Sequence, residues 1–310
     1  MGKATRDAYG DTLKELGGKY PEIVVLDADL SASTKTQVFA KEYPERFFDC
    51  GIAEGNMMSV AAGLAAAGKT VFASTFSVFG AGRAYEQIRN SICYPRLNVK
   101  VALTHAGITV GEDGATHQML EDIALMRVLP NMTVIVPADA AETAAAIRWA
   151  ASYKGPVYIR MGRAKCDDVT DPALPFVPGR SQLLRDGEDL TIIACGIMAG
   201  KATAASDILK RKGISARVIN MSSIKPIDEE AIVKAAEETG AILTAEEHSV
   251  VGGLGSAVAE VIVKHKPVRM EMLGINDSFG ESGKAEDLLV KYGLTAENIA
   301  ERAGELLRSL

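Results

Sequence analysis

Residues 53–73 read AEGNMMSVAAGLAAAGKTVFA, and this stretch decides the fold class. Apart from Glu54 and Asn56, its first fifteen residues are small or apolar and end at Gly68-Lys69, which predicts a helix over Ala53–Ala67. The apolar run Met57–Ala67 is too short to span a bilayer and reads as a buried helix. Behind it, TVFA at Thr70–Ala73 is a short, continuously apolar run, the pattern of a strand covered on both faces. The same alternation continues outward in both directions. Further strands are predicted at Ile23–Asp27, Val99–Thr104, Thr133–Val136 and Val157–Arg160, and helices at Thr5–Leu16, Ala81–Ile92, Gln118–Leu129 and Ala140–Ala151. Strand and helix in turn argue for an α/β fold, a parallel sheet with helices on both faces.

The alternation breaks at about 164–189. That stretch holds three of the 11 prolines, shows little periodicity and reads as a linker. Strands are predicted again at Leu190–Ala194, Ala216–Asn220, Ala241–Ala245 and Val268–Leu273. Helices fall between them at Lys201–Lys212, Asp228–Glu238 and Ser256–Lys264, and Ala285–Tyr292 and Thr295–Leu307 close the chain. Two doubly wound α/β domains are therefore expected, over 1–165 and 189–310, joined by a linker at 166–188.

The chain has 310 residues, 34 Lys+Arg against 40 Asp+Glu, and a net charge of −6, which excludes a general nucleic-acid binder. With 47% hydrophobic residues it can build substantial cores. The four cysteines form no C-x-x-C pair and the four histidines no H-E-x-x-H, so no protein-built metal site is expected. The chain is charged from Lys3 and Arg6 onward, with no apolar signal core behind them. Arg6 also occupies the Ser/Thr position that myristoylation at Met1-Gly2 would need. A reduced, cytoplasmic location follows as the expectation.

Three stretches can carry chemistry. Glu54 stands at the mouth of an otherwise small and apolar segment. It is either a helix-terminal acid favoured by the macrodipole or a pocket carboxyl with a raised pKa, ready to exchange a proton. Phe72, Phe76 and Phe79 cluster where a strand passes into a helix, as core packing or as a stacking platform. Thr104–Gln118, THAGITVGEDGATHQ, places His105 and His117 around the turn Gly111–Gly114, on a loop following a strand. Gly252-Gly253-Leu254-Gly255 reads as an anion-binding helix start or a close-packing turn. Glu246-Glu247 reads as a solvated strand end, and Arg160 and Arg163 as solvated or as a phosphate clamp.

The segments DADLSAS, CGIAEGNMMSVAAGLA, STFSVF and THAGITVGEDGATHQ resemble the pyrimidine-binding domain of transketolases. LTIIACGIMAGKA, INMSSIKPID and TAEEHSVVGGLGSAVAEVI are similar to the C-terminal domain of that superfamily, in collinear order. The resemblance implies a mainly parallel-sheet pyrimidine-binding domain followed by a smaller α/β C-terminal domain. By the same resemblance Glu54 matches the glutamate that hydrogen-bonds N1′ of thiamine diphosphate. Phe76 and Phe79 match the aromatic pocket around the pyrimidine, with Ile52 beside it. Gly82 stands where a further aromatic is expected, a gap for Tyr85 to fill. Arg6, Ser33, His105 and Arg163 match residues that grip a sugar phosphate, with Arg160 a further member. Asp113 and His117 match groups that read substrate hydroxyls.

The family's diphosphate and metal motif, G-D-G followed by Asn-Asn, has no counterpart here, since no Asn-Asn pair occurs. The resemblance thus implies the C-terminal subunit of a split transketolase. It would move a two-carbon ketol unit between sugar phosphates, with thiamine diphosphate and with Mg2+ or Ca2+ held mainly by an N-terminal partner subunit. An α2β2 assembly is expected, its apolar mouth around Phe76, Phe79 and Met57 facing the partner. Three alternatives remain: 1-deoxyxylulose-5-phosphate synthase, which Arg83–Gln87 resembles but which would carry Arg at position 105; a 2-oxo acid dehydrogenase β subunit; and a non-catalytic module of the same fold.

Overall fold

Strands covered on both faces need unbroken runs of apolar or β-branched side chains, and the runs read above form such strands. The computed structural model describes residues 2–309; the outer domain bounds, Met1 and Leu310, lie outside them. In chain order the strands are β1 Ile23–Asp27, β2 Phe47–Asp49, β3 Thr70–Ser74, β4 Val99–Leu103, β5 Thr133–Ile135 and β6 Val157–Arg160. They continue as β7 Gln182–Arg185, β8 Leu190–Ala194, β9 Ala216–Asn220, β10 Ser223–Lys225, β11 Ala241–Ser249 and β12 Arg269–Ile275. Every residue of β1, β3, β4, β6 and β8 is buried.

Among the described residues the strands form two sheets. The first, seven-stranded, has the order β10-β5-β6-β4-β3-β1-β2; the second, five-stranded, has β12-β11-β8-β9-β7. Both are parallel except at one edge, where β10 runs antiparallel to β5 and β7 antiparallel to β9. Helices Thr5–Lys19 and Ala140–Ser152 cover one face of the first sheet. On the other face, helix Glu54–Ala66 joins a core that runs on without a break into Ile224, Ile232 and Leu254 of the second half.

Four expectations change. The stretch read as a linker contains β7 and is tied down by hydrogen bonds. Asp139 caps helix Ala140–Ser152 through Glu142 N and also accepts from Val169 N, Thr170 N and Thr170 Oγ1. Asp228 does the same at helix Glu229–Thr239, capping Ala231 N while accepting from Ser181 N and Oγ. Strand β10 lies in the second half of the sequence yet completes the first sheet, and Lys225 Nζ donates to the carbonyls of Arg127 and Leu129. The predicted helix 81–92 is two wide π turns, Val78–Arg83 and Ile88–Cys93, around the short α turn Tyr85–Gln87. Gly80 is pressed so close to Leu103 that a Cβ there would lie 2.5 Å from its methyl group. The hydrophobic pattern over so short a stretch does not separate the two helical periods. Helix Gln118–Leu129 is likewise shortened to Asp122–Val128. Among the described residues no helix is long and apolar enough to cross a membrane.

Candidate active site

Residues at or just beyond the carboxyl ends of β1, β3, β4 and β6 come together, where open parallel sheets bind ligands. Glu54 opens helix Glu54–Ala66, so its carboxylate sits in the favourable field of the helix N-terminus. It is 2% exposed, and Arg83 Nη1 donates to its Oε2 at 2.9 Å. Arg83 is more than half exposed and lays its guanidinium over the Phe79 ring, 4.7 Å from the centroid. This partner was missed: Arg83 and Glu54 lie 29 residues apart, with no spacing rule to join them.

Phe76 follows β3 and pairs with Thr104 in a single parallel bridge. That pairing stacks it on His105, with centroids 3.8 Å apart and planes 24° apart, and beside Phe79 at 5.9 Å and 13°. His117 meets Phe79 edge-on at 5.4 Å. The result is a platform of aromatic faces with an imidazole at each side. Phe72, by contrast, is a core residue in β3.

His105 has φ +57°, in the left-handed region that is uncommon for residues other than glycine and that clusters at functional sites. Its Nε2 lies 3.2 Å from Arg6 Nη1 and its Nδ1 2.8 Å from Thr104 Oγ1. A guanidinium can only donate, so Nε2 accepts and Nδ1 carries the proton to Thr104. Burial, with the charges of Arg6 and Arg163, pushes the imidazole down to about 3, and it stays neutral. Arg6 Nη1 also donates to the Ser33 carbonyl at 3.0 Å, while its buried Nε has no partner among the described residues. Arg163 donates to the Val110 carbonyl and, at 3.1 Å, to Glu112. Lys35, near enough to act on His105 and paired with Asp7 at 3.5 Å, extends this cationic rim. It was not anticipated. The loop bearing Ser33 and Lys35 is shaped by buried Asp27, which accepts from Leu30 N, Thr34 Oγ1 and Thr36 Oγ1; burial raises its carboxyl to about 6.

Asp113 is exposed on the turn between Gly111 and Gly114, both with positive φ, and His117 is half-buried with Nδ1 3.0 Å from Thr116 Oγ1. Ile52 projects at the rim, 77% exposed. A Cβ on Gly82 would meet Met119 Cε alone, at 4.0 Å, so that place is open; Tyr85 is half-buried and packs on the core.

Other readings need correction. Met57 is fully buried, so the exposed mouth is made by Ile52 and half-buried Phe79. Arg160 lies inside the protein: its Nε donates to Asp122 at 2.7 Å and its Nη2 to the Glu247 carbonyl at 2.9 Å, so its guanidinium is neither solvated nor free to clamp an anion. Glu246 and Glu247 are buried, not solvated. Glu246 accepts from Leu254 N and Gly255 N, so the anion at that helix start is the chain's own carboxylate. Among the described residues no group of three or more His, Cys, Asp and Glu could hold a metal ion.

Fold and site together define a class: paired α/β units presenting a buried glutamate, stacked aromatics and a cationic rim at a sheet edge. The chain belongs to the transketolase family. The model for the transketolase pyrimidine binding domain matches residues 1–167, and that for the transketolase C-terminal domain matches 179–299. It is 55% identical over 309 residues to a putative transketolase C-terminal section of Methanocaldococcus jannaschii, covering 99% of this chain and 97% of that one. It is 44% identical to a 6-deoxy-6-sulfo-D-fructose transketolase subunit of a Clostridium species, covering 97% of this chain and 94% of that one. Among solved structures, one described as a split gene transketolase, inactive beta4 tetramer, superposes with a TM-score of 0.93 at 58% identity, covering 99% of each chain. Transketolase from Leishmania mexicana superposes at 0.85 and 27% identity; there the chain spans 46% of the protein.

Proposed function

We propose that this chain is the C-terminal subunit of a split, thiamine diphosphate-dependent transketolase. Together with an N-terminal partner subunit it would transfer a two-carbon ketol unit from a ketose phosphate to an aldose phosphate. The observation that carries the reading is the juxtaposition of buried Glu54, the Phe76–Phe79 stack and the Arg6–His105–Arg163 rim. A carboxyl acceptor, a flat apolar platform and an anion-binding edge suit an aminopyrimidine ring and a sugar phosphate respectively. The relatives that match over their whole length, rather than over half of it, favour a separate subunit.

The residues present fit the pyrimidine half of the cofactor. Glu54 is a buried carboxyl whose partner Arg83 is exposed enough to swing aside, and Phe76 and Phe79 offer ring faces. When bound, thiamine diphosphate supplies the carbanion chemistry that breaks and remakes the bond beside a ketose carbonyl. Glu54 then holds the proton shared with N1′. The platform fixes the ring plane, and Ile52 and Phe79 are covered by the partner, which excludes water. We assign the diphosphate and the Mg2+ or Ca2+ to the partner's residues. A phosphate dianion would be held by the guanidinium donors of Arg6 and Arg163, with the buried, neutral His105 imidazole beside it. Asp113 and His117 face the substrate's hydroxyls from the opposite side of the platform.

The test mixes purified chain with thiamine diphosphate, Mg2+ and the N-terminal subunit while following ketol transfer. No turnover is expected from the chain alone, and turnover on mixing; robust transfer by the chain alone would sink the split-subunit reading. In the same assay Arg163→Ala loses a charge-assisted contact of about 1.5–3 kcal/mol, roughly a 10–100-fold rise in KM. That rise should appear with a phosphorylated donor and be absent with hydroxypyruvate. Equal losses on both donors would make Arg163 structural.

A further inference from the structure

The loop 107–118 carries Asp113 and His117, yet much of what holds it comes from the other half of the chain. Glu247, in β11, is 4% exposed, and its Oε1 accepts from Thr109 N at 2.7 Å. Gly107, two residues before, has φ +85°, and a Cβ there would lie 2.3 Å from the Glu247 carboxyl. Glu247 is held in turn: its carbonyl accepts from Arg160 Nη2, the guanidinium that also binds Asp122. Next to it, Ser249 N donates to the Leu120 carbonyl and Ile123 N donates to His248 Nε2, fixing the segment that follows the loop. On the far side Gln118 Nε2 donates to the carbonyls of Ile108, Gly111 and Glu281, joining both ends of the loop to the second half.

We propose that Glu247 is a positioning residue: through Thr109 it sets the loop that presents Asp113 and His117 to the substrate. The bracing stands on geometry alone, while the substrate's side of the statement rests on the functional reading above. Thr109 is buried, so removing the carboxylate leaves its N–H without the acceptor it has now, a cost that the turn relieves by opening. Glu247 acts on the loop through Thr109 and Gly107, whereas Glu54 is paired with Arg83, which separates its expected effect from that of Glu54.

The experiment has two readouts on Glu247→Ala, with Glu247→Gln as the conservative variant that keeps an acceptor for Thr109. Amide hydrogen exchange on the full-length chain should quicken about tenfold or more over residues 108–118 in Glu247→Ala, with β1, β3 and β4 unchanged. Glu247→Gln should stay near wild type. In the assembled enzyme Glu247→Ala should raise KM for the sugar phosphate about tenfold and leave thiamine diphosphate affinity unaltered. Wild-type exchange in Glu247→Ala, exchange quickened equally in every strand, or cofactor affinity falling in step with KM would each overturn the proposal. Should Glu247→Ala fail to fold, Gly107→Ala disturbs the same contact and must give the same local signature. Because exchange is read without partner or cofactor, a quickened loop in a chain that never transfers ketol units supports the bracing while removing the functional reading.

Discussion

Glu54 illustrates what a single residue takes from its surroundings. The sequence predicts a carboxyl at a helix start, and that position lowers its energy whether or not it has chemistry to do. Its burial beside stacked phenylalanines is what makes it a candidate for proton exchange. Glu54→Gln should leave the fold intact, as judged by circular dichroism, and lower ketol transfer in the assembled enzyme by about 10²–10⁴-fold. A Gln variant with near-full activity would return Glu54 to a purely structural role. His105 gives a prediction with a definite sign. Its folded-state pKa, about 3, lies below the ordinary value of 6.5, so below pH 6.5 the unfolded chain binds a proton that the folded one refuses. Its contribution to stability is therefore full above pH 6.5 and is lost as pH falls toward 3. Between pH 7 and pH 5 the wild type should lose about 1–2 kcal/mol more stability than His105→Asn, by urea denaturation. Asn is the replacement because it tolerates the left-handed φ. Parallel pH curves for the two proteins would contradict the neutral, buried imidazole.

At the scale of elements, glycines separate turns that need close approach from positions that merely lack a side chain. Gly253 precedes helix Leu254–His265, and a Cβ there would lie 2.0 Å from Glu246 Oε2 and 2.7 Å from His248 Nδ1. Both groups are buried, and Glu246 is held by two backbone N–H groups, so neither can move aside cheaply. Gly253→Ala should cost about 2 kcal/mol or more in the isolated chain. Gly63 lies in exposed helix with nothing within 4 Å of an added Cβ, so Gly63→Ala should stabilise by about 0.5–1 kcal/mol. Denaturant midpoints of the pair check both signs, and a harmless Gly253→Ala would mean that Glu246 does not cap this helix. The Gly-Gly-x-Gly motif alone allowed both an external anion and a close-packing turn. The burial of Glu246 decided between them.

At the scale of the molecule, the two sheets are not independent. Strand β10, from the second half, closes the edge of the first sheet, and one apolar core runs across both halves. A fragment ending at residue 167 would therefore lack β10, leave the β5 edge open and expose Leu254-facing core. We expect that fragment to be insoluble or unfolded, and the full chain to unfold in a single transition by calorimetry. A soluble 1–167 fragment with its own cooperative transition would show that the family's domain boundary is also a folding boundary.

What the sequence determined by itself was the local and periodic part of this protein: buried strands, the helices between them, the break near 164–189, and the identity of Glu54, Phe76, Phe79, His105 and Arg163 as residues worth watching. These are readable because burial on both faces imposes an unbroken apolar run, and because the family's motifs are contiguous. Tertiary structure alone decided which charges meet. It placed Arg160 in the core against Asp122, gave Glu54 its partner Arg83, added Lys35 to the cationic rim, and brought Glu247 against Thr109 across 138 positions of chain. Pairings of that kind have no period and no spacing. Each depends on where two strand ends stop in space, and on burial that turns an ordinary charge into one that must find its partner.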